Sequence, residues 1–231
     1  ALKSARPYIT DATILWTLQN GIGNIDIMKN FAPDERLVKG LTSATGIING
    51  PGSVSTNFQG ETETFFQPLN GQVDNVMNKL ADKLSKAGLP TAYTDDIDYR
   101  IWRKLVINAT LTVLSGSMNT KIGAVYFNPA GKNLCLSIVK EVVDVAQAAG
   151  VALTLDDALD YLDKLANSAV DHIGSTTISL QLHEKTEIDS MNGAVVREGL
   201  KHGVPTPVNK VIFDLIKLVE QTANERLSPA I

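Results

Sequence analysis

The stretch Ile101-Trp-Arg-Lys-Leu-Val-Ile-Asn-Ala-Thr-Leu-Thr-Val-Leu-Ser115 decides the fold of the second half of the chain. Its apolar residues cover most of the circumference of a helix, which is typical of a helix enclosed by protein. Four polar residues nevertheless follow one another at steps of four, four and three, so they lie on one face. This polar stripe consists of Lys104, Asn108, Thr112 and Ser115.

The polar stripe has two interpretations, because buried polar groups are costly unless other groups satisfy them. In the first, the stripe is structural: Lys104 reaches the surface along its aliphatic stem, and Asn108 bonds to a neighbouring loop. In the second, the stripe lines a polar cleft that holds a ligand. The segment alone does not decide between them.

Composition narrows the class of protein. The 231 residues are 44% hydrophobic and 20% charged, which suits one large domain or two small ones. The net charge of -4 argues against nucleic acid, and no cluster of Lys and Arg indicates an anionic membrane. No apolar run approaches the roughly 20 residues that span a bilayer. No Cys/His spacing resembles a metal site, and the single Cys135 and the lack of a visible secretory signal lead us to expect a cytoplasmic protein.

The first part of the chain alternates strand and helix patterns. Thr13–Leu18 predicts a strand that leads through the turn cluster Gln19–Asn24 into a helix near Ile25–Phe31. Loops at the carboxyl ends of strands hold ligands in α/β folds, so this turn cluster is a candidate site. The later elements expected are a strand over Leu37–Ile48, a turn at Asn49-Gly-Pro-Gly52, a hairpin around Gln59-Gly60 within Ser53–Leu69, a helix through Val73–Leu84 and a strand at Thr91–Thr94.

From about Asp96 the pattern becomes almost wholly helical. The fold class predicted is therefore α/β over residues 1–95, followed by an all-α domain over residues 96–231. The helices expected in this part begin at Asn128-Pro129 and end at Gly150, begin at Thr154, span Thr186–His202, and run from Pro207 to about Gln221.

A third polar segment is Lys185-Thr-Glu-Ile-Asp-Ser-Met-Asn-Gly193. On the helix expected there, Glu187 would share a partly buried face with Ser190, Met191 and Ala194. A structural explanation stays open, in which Thr186 caps the helix and Glu187 favours the positive end of the helix dipole.

Three motifs together carry a resemblance that covers essentially the whole chain. They are Asn20-Gly-x-Gly, Trp102-x-Lys104-x-x-x-Asn108, and Thr186-Glu-Ile-Asp-x-x-Asn-Gly193 followed by His202-Gly-Val-Pro-Thr-Pro-Val-Asn209. The chain resembles the ketopantoate reductases (2-dehydropantoate 2-reductases). This resemblance implies a Rossmann domain that binds NADPH and a helical domain for substrate binding and dimerisation. The phosphate-binding Gly-x-Gly-x-x-Gly fingerprint does not occur in the chain, so we expect residues 1–95 to be the later part of the Rossmann domain.

The resemblance also implies a role for individual residues. Hydride delivery to a ketone leaves negative charge on its oxygen, which a positioned ammonium group stabilises and protonates. The implied assignments are Lys104 as general acid, Glu187 as its orienting partner and a cofactor contact, Asn20 at the cofactor ribose and substrate, Asn108 and Thr112 at the substrate, Ser175 (or Thr176) at the substrate carboxylate, and Gly46 as a backbone contact to the cofactor.

Two positions depart from the family pattern. Thr112 stands where the family commonly has a second asparagine, and Ile122 stands where it often has the asparagine of a Pro-Asn-Gly loop. A site that exchanges polar groups for apolar ones favours a less hydroxylated substrate.

We expect NAD(P)H-dependent reduction of a 2-oxo acid to a 2-hydroxy acid, specifically of 2-dehydropantoate to pantoate in pantothenate biosynthesis. NADPH is the expected cofactor, with NADH as the alternative, and we expect a homodimer through the helical domain. One alternative is a D-2-hydroxyacid dehydrogenase of the same fold that acts on branched or aromatic 2-oxo acids. The other is a non-catalytic helical interaction module. The 231 residues on their own are expected to be inactive.

Overall fold

The computed structural model describes residues 2–56 and 63–225, apart from the side chain of residue 47. It divides into two compact units, one of residues 1–19 and 23–100 and the other of residues 20–22 and 101–231. The strands are β1 (Leu15–Thr17), β2 (Leu37–Thr42), β3 (Gly46–Gly50), β4 (Ser53–Thr56), β5 (Thr64–Pro68) and β6 (Thr91–Tyr93). The α-helices are α1 (Leu2–Ala5), α2 (Asn24–Met28), α3 (Asn75–Lys86), α4 (Ile97–Ile107), α5 (Val113–Ser117), α6 (Ile122–Tyr126), α7 (Pro129–Ala148), α8 (Leu155–Ser168), α9 (Ser175–Gln181), α10 (Asn192–His202) and α11 (Pro207–Gln221).

A four-stranded sheet with the order β1-β2-β5-β6 organises the first unit. The pairs β1–β2 and β5–β6 are parallel, and β2–β5 is antiparallel. Consecutive residues of a strand point to opposite faces of its sheet. Leu37 accordingly packs against Met28 on one face, while Val38 packs against Phe66 and Met77 on the other. Helices thus cover both faces, and the predicted α/β class followed by a helical region is confirmed.

One predicted strand in the first unit is wrong. The segment Leu37–Ile48 forms two strands, because the Thr42 hydroxyl accepts a hydrogen bond of 3.1 Å from the Ala44 amide and turns the chain. The second of these strands, β3, pairs with β4 in a separate hairpin whose turn holds Pro51 and Gly52, within the predicted turn.

The turn of the hairpin predicted around Gln59-Gly60 lies outside the described residues. The strands on either side of it pair with other strands, β4 with β3 and β5 with β2 and β6, so the predicted pairing between them is wrong.

The starts of α7 and α8 are predicted correctly, because each is fixed by a capping side chain. The Asn128 side chain accepts hydrogen bonds from the amides of Ala130 and Gly131 at the start of α7. The Thr154 hydroxyl accepts from the Asp157 amide at the start of α8. These are typical N-caps, which satisfy amides that have no partner inside the helix.

The core of the second unit is built around α7. Its residues Cys135, Ile138, Val142 and Val145 are fully buried. Burial raises the pKa of the Cys135 thiol to about 12, so this side chain is an uncharged part of the core at neutral pH. No helix among the described residues is long and apolar enough to cross a membrane.

Candidate active site

The helix that carries the polar stripe contains an irregularity that its sequence does not predict. Between α4 and α5, residues Asn108–Thr112 form a π-helical turn, in which backbone hydrogen bonds run from residue i to i+5. The expected regular helix over residues 101–115 is therefore wrong at its centre. The Thr110 hydroxyl donates to the Val106 carbonyl at 2.6 Å and to the Ile107 carbonyl at 3.3 Å, which satisfies carbonyl groups at the entrance of the turn. Such turns occur frequently at functional sites.

Lys104 lies one helical turn before the π turn and is partly buried. Removal from water lowers the pKa of its ammonium group from 10.5 to about 8, and the negative charge of Glu187 opposes this shift. At neutral pH the side chain is therefore mostly protonated and gives up its proton far more readily than an exposed lysine. This is the property required of a general acid.

Asn108, the first residue of the π turn, has a buried amide nitrogen without a hydrogen-bond partner among the described residues. An unsatisfied buried donor costs free energy comparable to a lost hydrogen bond. The structural interpretation of the stripe requires Asn108 to bond to a neighbouring loop. The Asn108 side-chain nitrogen makes no such bond among the described residues. Ser115, by contrast, satisfies itself, since its hydroxyl donates to the Thr112 carbonyl at 3.2 Å.

The start of α9 approaches the far end of the polar stripe. A Cβ atom added at Gly174 would lie 3.1 Å from Thr112 Cγ2 and 3.3 Å from Ser115 Oγ, so only glycine allows this approach without displacing its neighbours. Ser175 follows immediately and is exposed, whereas Thr176 is buried. Of the two residues considered for binding the substrate carboxylate, only Ser175 is thus accessible. Its role stays a prediction.

The helix predicted from Thr186 to His202 is wrong at its start. Ile188–Ser190 is a short 3₁₀ turn, and α10 begins only at Asn192. Thr186 does not cap α10, because its hydroxyl donates to Glu220 Oε1 at 2.6 Å and accepts from the Ile188 amide. Glu187 therefore does not share a helical face with Met191 and Ala194 as expected, but is exposed at the start of the turn.

The loop Asn20–Ile22 packs against this 3₁₀ turn and belongs to the same unit. Asn20 Nδ2 donates to Glu187 Oε2 at 2.9 Å, and the Ile22 amide donates to the Ser190 carbonyl at 3.0 Å. Gly21 has a φ of +82°, and a Cβ added there would lie 1.9 Å from the Ser190 carbonyl oxygen. The second unit therefore holds Asn20 beside Glu187, whose charge acts on Lys104.

The two remaining predicted positions are Gly46 and Ile122. Gly46 belongs to the first unit, where it starts β3 and pairs with Thr56 of the hairpin. Ile122 starts α6, and its side chain is only 2% exposed. The substitution of an amide by Ile122 is thus a substitution within the core of the second unit.

A buried polar network next to the stripe received no role from the sequence. The side-chain Nδ2 of Asn192 donates to the Ala109 carbonyl at 3.0 Å and to Asn209 Oδ1 at 2.9 Å. Asn209 Nδ2 in turn donates to Glu141 Oε2 at 2.7 Å. The sequence offered one indication of this network: Asn192 and Asn209 belong to the motifs Asn-Gly193 and Pro-Val-Asn209.

Comparison with known families agrees with this architecture. Residues 1–71 match the family model described as "Ketopantoate reductase PanE/ApbA", and residues 96–220 match "Ketopantoate reductase PanE/ApbA C terminal". The chain is 30% identical over 224 residues to the 2-dehydropantoate 2-reductase of Streptococcus pyogenes serotype M18, covering 96% of this chain and 72% of that protein. It is 33% identical over 222 residues to the protein of the same name from Pyrobaculum aerophilum, covering 96% and 74%.

Solved structures show the same likeness. The structure of D-mandelate dehydrogenase with NADH and anilino(oxo)acetate is 30% identical, with a TM-score of 0.87 over 96% of this chain and 72% of that chain. A PanE/ApbA family ketopantoate reductase from Ralstonia eutropha JMP134 is 26% identical, with a TM-score of 0.84 over 96% and 73%. The family models and the curated relatives therefore identify the chain as an oxidoreductase. More narrowly, the chain belongs to the ketopantoate reductase family, which confirms the resemblance found in its motifs.

Proposed function

We propose that the protein reduces the ketone of a 2-oxo acid to a 2-hydroxy acid, with 2-dehydropantoate as substrate and pantoate as product. The observation that carries the proposal is the partly buried Lys104. Burial lowers the pKa of its ammonium group, and the negative charge of Glu187 partly offsets this lowering. The relatives named 2-dehydropantoate 2-reductase support the substrate class. The direct test is the rate at which the full-length protein oxidises NADPH when 2-dehydropantoate is added.

Reduction of a ketone adds a hydride to carbon and a proton to oxygen. The nicotinamide cofactor, when bound, supplies the hydride. Lys104 Nζ donates the proton to the developing alkoxide, and its positive charge stabilises that oxygen before transfer. Glu187 favours the charged form of Lys104, and Asn20 orients the Glu187 carboxylate. The unsatisfied Asn108 Nδ2 donates to a polar group of the substrate, and the Ser175 hydroxyl binds the substrate carboxylate.

The fit to a nicotinamide cofactor rests on the loop that follows β1. Ligands of α/β folds bind at the carboxyl ends of parallel strands, and β1 is such a strand. Asn20 and Glu187, both in the second unit, are the groups that we assign to the cofactor. The family resemblance also implies a contact from the Gly46 backbone, which belongs to the first unit. We propose NADPH from the family resemblance, while the NADH in the D-mandelate dehydrogenase structure keeps NADH as the alternative.

The 231 residues contain no Gly-x-Gly-x-x-Gly sequence. This fingerprint lets the backbone approach the cofactor pyrophosphate. We therefore propose that these residues alone bind NADPH negligibly and are inactive as a reductase. Calorimetric titration of NADPH into the 231-residue chain tests this, and micromolar binding would contradict it.

The second candidate function is a D-2-hydroxyacid dehydrogenase that acts on branched or aromatic 2-oxo acids. Thr112, which replaces an amide of the family pattern, favours it, as does the likeness to D-mandelate dehydrogenase. The deciding measurement compares kcat/KM for 2-dehydropantoate, 2-oxoisocaproate and phenylglyoxylate. Preference for either of the last two would establish the second candidate, and turnover of none would favour a non-catalytic interaction module.

A homodimer through the helical domain and a cytoplasmic location also stay proposals. One face of α11 exposes Val211, Leu215 and Leu218, which are spaced at i, i+4 and i+7 and are each more than 40% exposed. Exposed apolar patches of this kind often mark protein interfaces. Light scattering on the parent protein and on Leu215→Glu tests the dimer, which the charged variant should dissociate.

A further inference from the structure

The π turn at Asn108–Thr112 receives a hydrogen bond from a residue outside its own helix. The Val113 amide, at the end of the turn, donates to the Thr110 carbonyl. The Ala109 carbonyl accepts from the side chain of Asn192, which is completely buried and lies 83 positions later in the sequence. A residue of another helix therefore supplies a donor to the turn that carries Asn108.

Asn192 is held in place by a directional relay that begins at a carboxylate. Glu141 accepts from the Val208 amide at 2.8 Å, from the Asn209 amide at 2.9 Å and from Asn209 Nδ2 at 2.7 Å. Because Asn209 Nδ2 faces the Glu141 carboxylate, its Oδ1 faces Asn192. That oxygen accepts from Asn192 Nδ2 at 2.9 Å, which fixes the amide nitrogen toward Ala109.

This relay lowers the stability of the folded protein, because it leaves a buried polar atom of Asn192 without a partner among the described residues. Asn192 Oδ1 is buried and has no hydrogen-bond partner among the described residues. A buried polar atom of this kind lowers stability. The orientation of Asn192 is thus retained although half of its amide group is unsatisfied.

We propose that Asn192 is a positioning residue, which acts with Thr110 to clamp the π turn and thereby sets the positions of Asn108 and Lys104 for the reaction. Asn192 acts from the side of Ala109. Thr110 acts from within the helix, through its bonds to the Val106 and Ile107 carbonyls. The proposal rests on the proposed reductase function, because it assigns catalytic consequences to the geometry of the turn.

The first test replaces the clamp in the full-length protein by Asn192→Leu, which has similar volume and no polar atoms. A displacement of about 1 Å at a catalytic group lowers the rate by up to roughly 100-fold, so we expect a loss of kcat/KM of that order. The matched control is Leu162→Ala in α8, a fully buried residue outside the network. It should lower the melting temperature and leave kcat/KM near the parent value.

A double-mutant cycle separates positioning from a general loss of stability. Asn108→Ala should lower kcat/KM in the parent protein but cause little further loss in Asn192→Leu, because the Asn108 amide is already displaced there. Additive losses in this cycle would overturn the proposal. So would an Asn192→Leu protein that melts early, like Leu162→Ala, and keeps its parental kcat/KM.

A second pair of variants decides the matter if Asn192→Leu does not fold. Thr110→Val removes the hydroxyl bonds with little change of shape, and Thr110→Ser keeps them. We expect the valine variant to lose activity and the serine variant to retain it, and equal activities would refute the clamp.

The backbone NMR shifts of residues 108–112 give a readout that does not depend on turnover. Those of Asn108, Ala109, Leu111 and Thr112 should move in Asn192→Leu, and they should move much further in Thr110→Val than in Thr110→Ser. If the parent protein reduces no 2-oxo acid, the proposed function fails, while these shifts still test whether the clamp holds the turn. Unchanged shifts in both disruptive variants would refute it on structural grounds.

Discussion

Asn20 Nδ2 donates a hydrogen bond of 2.9 Å to Glu187 Oε2 and so joins two residues that are 167 positions apart. Glu187 is also the group whose negative charge supports the protonated form of Lys104. The hydrogen bond fixes one oxygen of the carboxylate and therefore its orientation. Through this pair, the Asn20–Ile22 loop contacts the carboxylate whose charge acts on the proton donor that we propose.

Replacing the proton donor should abolish most of the activity. We expect Lys104→Ala to lower kcat by roughly 10²–10⁴-fold, the usual range for the loss of positioned proton transfer. The control is Lys140→Ala, since Lys140 is an exposed lysine whose ion pair, within the described part of the chain, is with Asp144 of its own helix. Steady-state kinetics and thermal melts test both variants. A Lys104→Ala protein that melts early but keeps a near-normal kcat would show that the lysine is structural.

The rate of reduction should depend on the protonation state of Lys104. Because its pKa is about 8, kcat/KM should fall as the pH rises through this value. Glu187→Gln keeps an oxygen that accepts from Asn20 but removes the charge that raises the Lys104 pKa. The descending limb of the pH profile should therefore move to lower pH in this variant. A limb that stays in place or moves upward would contradict the assignment.

Lys104 should also reduce the stability of the folded protein. Its pKa is about 8 in the folded state against an ordinary value of 10.5, so the unfolded chain binds this proton more tightly. Stability contributed by this group therefore rises with pH between these two values. Lys104→Met should stabilise the protein at pH 7 by about 1–3 kcal/mol, since one pKa unit corresponds to about 1.4 kcal/mol. Urea unfolding at pH 7 and pH 10 tests this, and an equal gain at both values would contradict it.

The close approach of the Asn20–Ile22 loop depends on glycine. Gly21→Ala adds a Cβ atom at a position 1.9 Å from the Ser190 carbonyl oxygen, so the loop must move away from Glu187. We expect a raised KM for the cofactor and a lower kcat. The matched control is Gly71→Ala, where φ is +72° but no atom lies within 4 Å. It imposes the same kind of backbone strain without the clash, so equal effects of the two substitutions would exclude the steric explanation.

Substrate preference should respond to Thr112. A lost hydrogen bond to a substrate hydroxyl is worth about 0.5–1.5 kcal/mol, which corresponds to roughly two- to tenfold in kcat/KM. We expect the parent protein to turn over 2-oxoisovalerate or 2-oxoisocaproate at least comparably with 2-dehydropantoate. Thr112→Asn should shift the ratio toward 2-dehydropantoate, and the buried Ile122 makes a second substitution to asparagine there destabilising. A parent preference for 2-dehydropantoate of a hundredfold or more would contradict this interpretation.

The sequence predicts best those features that depend on hydrogen bonds between residues close together in the chain. Asn128 and Thr154 cap helices through amides two or three positions away, so their local pattern suffices. The polar stripe from Lys104 onward is likewise visible as a spacing. Thr186 has the same chemistry as these caps, but its hydroxyl bonds to Glu220, 34 positions later, so a local pattern gives the wrong helix start.

The π turn was not predictable for a related reason. Its residues Asn108–Thr112 contain neither proline nor glycine and would fit a regular helix. One of its carbonyls is satisfied by Asn192, which only the packed structure brings close. The proximity of Asn20 and Glu187 was accessible through the family resemblance but not from residue patterns, because it depends on the docking of a glycine against a distant carbonyl.

The buried thiol of Cys135 makes the protein convenient for spectroscopic labelling. The chain has this one cysteine, and with a pKa of about 12 it is almost never the thiolate that alkylating reagents attack. A cysteine introduced at an exposed position therefore becomes the single reactive thiol of these 231 residues without any prior removal of the native one. A maleimide dye placed at residue 184 would then report ligand binding from a defined point near the Thr186–Ser190 turn.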